Sequence, residues 1–309
     1  MFFNIYIRLL TFFSNIIALV LQGLMYKKKP EGINCETNLK YDEPKWAKYD
    51  LYYPENNSKK PVFIYIHGGG FVSGKKDVCK YYCYEYAKRG YFVINIDYQY
   101  APQAHHPEQL KQIFKCLEKV FDKSEEYNLD LSKIAVGGES AGAYFSVFVA
   151  GISRKRKYYK YFDIYFKYKD IFKVDACVLI CGIYRLKDVL YYKFSFISSY
   201  FRALTGKSFR QMRLIRDERF FDWYSPLNIV DEDFAPSVII HATRDTLKVE
   251  SEFLADKLDL RNVPYIRLYS GGLACRHAFP VNTILKESQR ILDRTVDFLD
   301  CHMINKEGN

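Results

Sequence analysis

Gly138-Glu139-Ser140-Ala141-Gly142 sets a serine between small residues, after the apolar run Lys133 to Gly137 and before the apolar stretch Ala141 to Ser153. A serine on a sharp strand-to-helix turn of this GxSxG kind has its hydroxyl exposed. The flanking glycines are needed because the turn brings backbone close to backbone. Amides at the start of the following helix favour a developing negative charge. The pattern alone is weak, because ordinary Gly-rich strand–helix turns also supply it; its apolar flanks make Ser140 a nucleophile candidate. A second glycine loop, His67-Gly68-Gly69-Gly70-Phe71, follows another apolar run. The amides of Gly69 and Gly70, with that of Ala141, would form an oxyanion hole, in which one donor is worth about 3–4 kcal/mol of barrier. The alternative, a phosphate-cradling loop, is disfavoured because no Lys-Ser/Thr follows the glycines.

A serine hydroxyl is a poor nucleophile until a histidine takes its proton, and that histidine needs an acid to fix its tautomer. Six histidines are available. His277 lies in the loop Gly271 to Phe279, just after the apolar run Tyr265 to Tyr269, and is the candidate base. Asp245 follows the run Ser237 to His241 and is the candidate acid. His67 sits inside the glycine loop and reads as a residue that fastens it. His241 falls within its own strand, His302 in the C-terminal tail, and His105 and His106 in a loop ahead of Ser140. Asp231, Glu232 and Asp233 read as a solvated turn.

These residues need a scaffold, and the apolar pattern supplies one. Pro61 to His67, Tyr91 to Asp97, Lys133 to Gly137, Ala176 to Cys181, Ser237 to His241 and Tyr265 to Tyr269 read as strands. Several are apolar on both faces, as strands buried between helices are. Between them Val78 to Arg89, Glu108 to Phe121, Ala141 to Ser153, Val249 to Asp259 and Asn282 to Leu299 have helical spacing or composition. Such alternation predicts a doubly wound α/β sheet, whose ligands sit at the carboxyl ends of the strands. Each candidate residue stands just after a strand.

With 309 residues, 49% of them apolar, the chain can bury a large core without staples. That composition excludes a disordered or collagen-like chain. The eight cysteines form no CxxC pair and no zinc spacing, and lean towards a reducing compartment. The net charge of +10 suggests an anionic neighbour. Residues 1–29 stand apart. Met1 to Met25 carries one charge, Arg8, and Leu9 to Met25 none, before Lys27-Lys28-Lys29-Pro30 stops the run. A membrane anchor, a cleaved secretory signal and a helix lying on the catalytic domain all fit, the anchor best. If the segment spans, the lysines put the following domain, residues 30–309, on the cytoplasmic side.

HGGG followed by GESAG resembles the hormone-sensitive-lipase-like branch of the α/β-hydrolase fold, a family of carboxylesterases and lipases. Asp97-Tyr98-Gln99-Tyr100-Ala101-Pro102-Gln103 resembles the family's DYRLAPE segment, Ser225-Pro226-Leu227 its SPL, and His277-Ala278-Phe279 its HGF. The likeness covers about residues 61–299. It implies a cofactor-free serine esterase with a helical cap, cleaving acyl esters through an acyl-enzyme. Departures are Glu139 for the usual Asp, Ala143 for a usual glycine, Ala242 and Thr246 around the acid, and Gln99 and Tyr100. The last two bear on cap packing or specificity more than on chemistry.

Two segments bear on substrate and partners. In residues 184–224, where this family inserts its cap, Tyr191, Tyr192, Phe194, Phe196, Tyr200, Phe201, Phe220, Phe221, Trp223 and Tyr224 could line an acyl pocket or simply pack the cap. Arg154 to Lys173 holds eight Lys/Arg, two Asp and eight aromatic residues. It suits an anionic membrane surface or a solvated face better than single-stranded nucleic acid. The residues alone leave open an amidase or peptidase with the same triad, or a hydrolase fold that only binds.

Overall fold

The computed structural model describes residues 30–185, 195–214 and 218–303. Eight strands form one sheet: β1 (Ile33–Lys40), β2 (Lys48–Pro54), β3 (Lys60–Ile66), β4 (Phe92–Ile96), β5 (Leu129–Glu139), β6 (Ala176–Ile180), β7 (Ser237–Ala242) and β8 (Tyr265–Ser270). Their spatial order is β1-β2-β4-β3-β5-β6-β7-β8, with β2 antiparallel to both its neighbours, β1 and β4, and every other pairing parallel. This is the mostly parallel sheet of the α/β-hydrolase fold.

Helices cover both faces because both faces of the strands are apolar. Along β3, Val62, Ile64 and Ile66 join one core, while Phe63 and Tyr65 join the other. The first core is closed by α2 (Glu108–Phe121), α3 (Ala141–Arg154) and α8 (Lys248–Leu260). The second is closed by α1 (Lys80–Ala87) and α9 (Lys286–Met303). Helix α3 is buried from Ala141 to Ser153, so its stretch without charge is explained by burial on all sides.

Three segments differ from the sequence reading. β1 and β2, ahead of Pro61, were not expected as strands; β1 is an edge strand whose outer residues are polar and partly exposed. The helix expected from Val78 opens instead as a 3-10 turn, Lys76–Cys79, before α1. The helix expected from Asn282 begins at Lys286, because Ser288 and Gln289 turn their side chains back onto the carbonyls of Phe279 and Thr283.

After α3 comes the short helix α4 (Lys157–Tyr161). Between β6 and β7 lie α5 (Ser195–Thr205), α6 (Phe209–Leu214) and α7 (Glu218–Tyr224). Tyr191, Tyr192 and Phe194 lie outside the described residues, as does the segment 1–29. Phe201 packs against Phe71 and Tyr144, and Trp223 against Tyr161 and Phe162. Most of the described aromatics in this insertion therefore pack it onto the domain; Tyr200 has a different position, described below. Among the described residues, no helix is long and apolar enough to cross a membrane.

Candidate active site

Ser140 connects β5 to α3 at φ 54° and ψ −114°, a region that a side-chain-bearing residue occupies only under constraint. The constraint is packing. A Cβ on Gly142 would stand 1.9 Å from the Ile66 carbonyl oxygen, and one on Gly138 2.2 Å from the same atom. Only glycine lets the turn sit this close to β3. The Ser140 N–H donates to Ile180 O at 2.8 Å, tying the turn to β6 as well.

Gly69 and Gly70 have φ of +121° and +61° and leave the end of β3 towards Ser140. Their loop is fastened from below. The Gly68 N–H donates to Glu139 Oε1 at 2.6 Å, and the Tyr65 hydroxyl donates to Glu139 Oε2 at 2.5 Å. Cys79 adds a thiol contact to the same carboxylate at 3.4 Å. His67 is buried, stacks on Tyr98, bonds through Nδ1 to the Gly68 carbonyl at 2.7 Å, and holds Nε2 3.4 Å from Asp97 Oδ1. It fastens the loop, as the sequence suggested. Burial disfavours its charged form, but Asp97 outweighs that and raises its pKa. Asp97 also accepts the Lys76 N–H at 2.7 Å, and the buried Lys76 ammonium pairs with the equally buried Asp50 at 2.8 Å.

Nothing in the sequence marks Glu139 as a fastener; there it is only a departure from the family's usual Asp. The Tyr100 hydroxyl donates to the Gly74 carbonyl, just beyond the glycine loop.

Asp245 and His277 follow β7 and β8 and meet: His277 Nδ1 lies 2.8 Å from Asp245 Oδ2. The other Asp245 oxygen accepts the Leu247 N–H at 2.9 Å. Burial favours the neutral acid, yet these bonds win and hold Asp245 below its usual pKa. For His277 desolvation works against the proton, while the Asp245 and Cys181 contacts outweigh it and raise its pKa. The His277 side chain remains 42% exposed. Cys181, at φ 48°, accepts the Ala278 N–H through its sulfur at 3.4 Å. Its sulfur, an Asp245 oxygen and a His277 nitrogen lie within 4.8 Å of one another. That set has metal-ligand composition, but its nitrogen and oxygen are already engaged in a hydrogen bond and burial keeps the thiol protonated.

Ser140, Gly69, Gly70, Asp245 and His277 border one open cavity of about 380 Å³, with Ile183, Tyr200 and Leu247 as its apolar wall. Ala141 opens α3 beside Ser140 and is fully buried. A Cβ on Gly70 would meet the Tyr200 ring at 2.9 Å, so this residue of α5 lies directly across the glycine loop. Of the remaining histidines, His241 is buried and stacked on Tyr269, His302 stacks on Phe298, His105 bonds to Ala203 O, and His106 is buried among aromatics.

The chain is similar to two acetyl esterases of Salmonella. That of Salmonella paratyphi B is 28% identical and that of Salmonella dublin 29%, each over 236 residues, covering 74% of this chain and 68% of theirs. Esterase B from Lactobacillus rhamnosis superposes with a TM-score of 0.85 at 21% identity, covering 97% of this chain and 94% of that one. A hyperthermophilic esterase from Pyrobaculum calidifontis superposes with a TM-score of 0.73 at 22% identity, covering 96% and 93%. The model of the BD-FAE family matches residues 49–258. With that match over most of its length, the chain belongs to the BD-FAE family and is a carboxylesterase of the α/β-hydrolase fold.

Proposed function

We propose that Ser140 is the nucleophile of this esterase, His277 its general base and Asp245 the acid that orients the base. The observation that carries this reading is the 2.8 Å Asp245–His277 hydrogen bond beside the cavity that Ser140, Gly69 and Gly70 border. His277 takes the Ser140 proton through Nε2, because Nδ1 is engaged with Asp245. The alkoxide adds to the ester carbonyl, and the amides of Gly69, Gly70 and Ala141 hold the resulting oxyanion. His277 then returns its proton to the leaving alcohol. Water, activated by the same imidazole, releases the acid.

Short acyl groups fit this reading best. Tyr200 stands across Gly70, and the similar Salmonella proteins are acetyl esterases. The test is hydrolysis of nitrophenyl acetate, butyrate and longer esters by wild type and Ser140→Ala. We expect rates falling beyond butyrate and the variant at the buffer background; equal rates in the two proteins would remove Ser140 from the mechanism.

The same proposal includes membrane attachment through residues 1–25, with the catalytic domain on the cytoplasmic side. Its supports are the absence of charge from Leu9 to Met25 and the lysines at 27–29. The basic segment Arg154 to Lys173 is the second contact with lipid.

A further inference from the structure

The chain enters the domain at one particular end. β4 starts the parallel set at Phe92, and β2 runs against it, with Tyr49 opposite Ile96 and Tyr52 opposite Val93. β1 runs against β2, with Ile33 opposite Pro54. Ile33 therefore lies at the end where the parallel strands begin, whereas Ser140, Asp245 and His277 all follow strand ends. The described chain thus begins, at Pro30, on the side away from the cavity.

The later part of the basic segment, Tyr165 to Lys173, lies at that same end, whereas Tyr161 and Phe162 pack against Trp223 of the cap. Helix α3 starts at Ala141, next to Ser140, and runs for about 21 Å to Arg154, and β6 then starts the next parallel strand at Ala176. Between them side chains alternate between core and water from Phe162 to Tyr168, and Lys169, Asp170 and Ile171 are then exposed in succession before the buried Phe172. Phe166 and Phe172 pack on Phe121 near the C-terminus of α2, and Lys167 and Tyr168 bond Asp122, which caps it. Facing outward are Tyr165, Lys167, Lys169, Ile171 and Lys173, together with Asp163 and Asp170, which are paired with Lys111 and Arg156; Tyr165 is 91% exposed and Ile171 59%. Large apolar side chains set among lysines on one ribbon are what an anionic bilayer surface receives: the rings and the isoleucine enter the headgroup layer while the ammonium groups meet lipid phosphates.

We propose that this ribbon docks on the anionic lipid surface beside the N-terminal segment, so that the cavity opens away from the bilayer and takes esters dissolved in water rather than lipids of the membrane. The proposal rests on the reading that residues 1–25 attach to the membrane. It adds an orientation, with the length of α3 between Ser140 and the lipid.

The experiment uses the full chain as Tyr165→Trp and Leu273→Trp. Leu273 is 76% exposed in the loop that carries His277. Each variant is mixed with vesicles of phosphatidylcholine, with and without phosphatidylserine, whose chains are brominated, and wild-type fluorescence is subtracted. We expect quenching at position 165 in the phosphatidylserine vesicles and none at 273. Quenching at 273, or at neither position, overturns the proposal. The double variant Lys169→Glu, Lys173→Glu should lose roughly 25-fold or more of the extra partitioning that phosphatidylserine confers, with its binding to neutral vesicles and its nitrophenyl acetate hydrolysis unchanged. A chain that neutral vesicles fail to hold refutes the reading of residues 1–25, while the contrast between 165 and 273 on anionic vesicles still decides the orientation.

Discussion

Ser140 and the Gly69–Gly70 loop are fixed from beneath, by backbone packed against backbone and by the buried Glu139 carboxylate. His277 stands instead on a surface loop, 42% exposed, held by Asp245 and by the contact of its neighbour Ala278 with Cys181. The difference matches what each half would do. An oxyanion pocket works by not reorganising when charge appears. A proton carrier must accept a proton from one group and give it to another, so a ring guided by one strong bond serves it better than a ring locked in place.

The contrast is broken most severely at Asp245. Asp245→Asn should lower turnover by about 10⁴-fold, as loss of the orienting acid does in such triads. It should also move the pH profile. The Asp245 bond raises the His277 pKa, so wild-type kcat/KM should climb with pH along a limb above the usual histidine value of about 6.5. Without the carboxylate that limb should shift to lower pH; a limb that stays in place would show that another group sets it. Glu139→Gln addresses the other half. Tyr65 and Gly68 both donate to this carboxylate, and an amide cannot accept from both through its two ends. We expect kcat to drop about tenfold with KM for acetate esters nearly unchanged, and an unaltered kcat would mean that glycine packing alone positions the loop. Cys181→Ala should cost least, up to about fivefold in kcat with a small displacement of the pH limb, because a thiol is a weak acceptor.

How much of this was legible in the residues depends on what fixes each part. Ser140, Gly69 and Gly70 were readable because their turns admit almost nothing but small residues at fixed spacing. Asp245 and His277 were readable from their places after apolar strands, although nothing local distinguishes them from other acids and histidines. Glu139, Tyr100 and Cys181 were not, since their roles come from partners 71, 26 and 97 positions away in sequence. β1 and β2 escaped for a different reason: β1 is an edge strand, which needs only one apolar side, and its Asn34, Glu36 and Asn38 blur even that, while in β2, inside the sheet, the buried Asp50 interrupts the apolar run. The aromatics of the cap announced burial without saying which one faces the cavity, because Tyr200 and Phe201 differ only in direction.

The buried Lys76–Asp50 pair gives the antiparallel edge more than a flanking role. Asp50 belongs to β2, while Lys76 hands its amide to the Asp97 that lies beside His67. A buried charge stripped of its counter-ion costs about 3–5 kcal/mol. A hydrolase core recombined in evolution without its first hairpin would lose the buried counter-ion and leave this ammonium with the half-exposed Asp77, beneath the glycine loop. Hairpin and glycine loop are thus coupled through position 76, and a lineage that discards the first gains by rewriting that lysine.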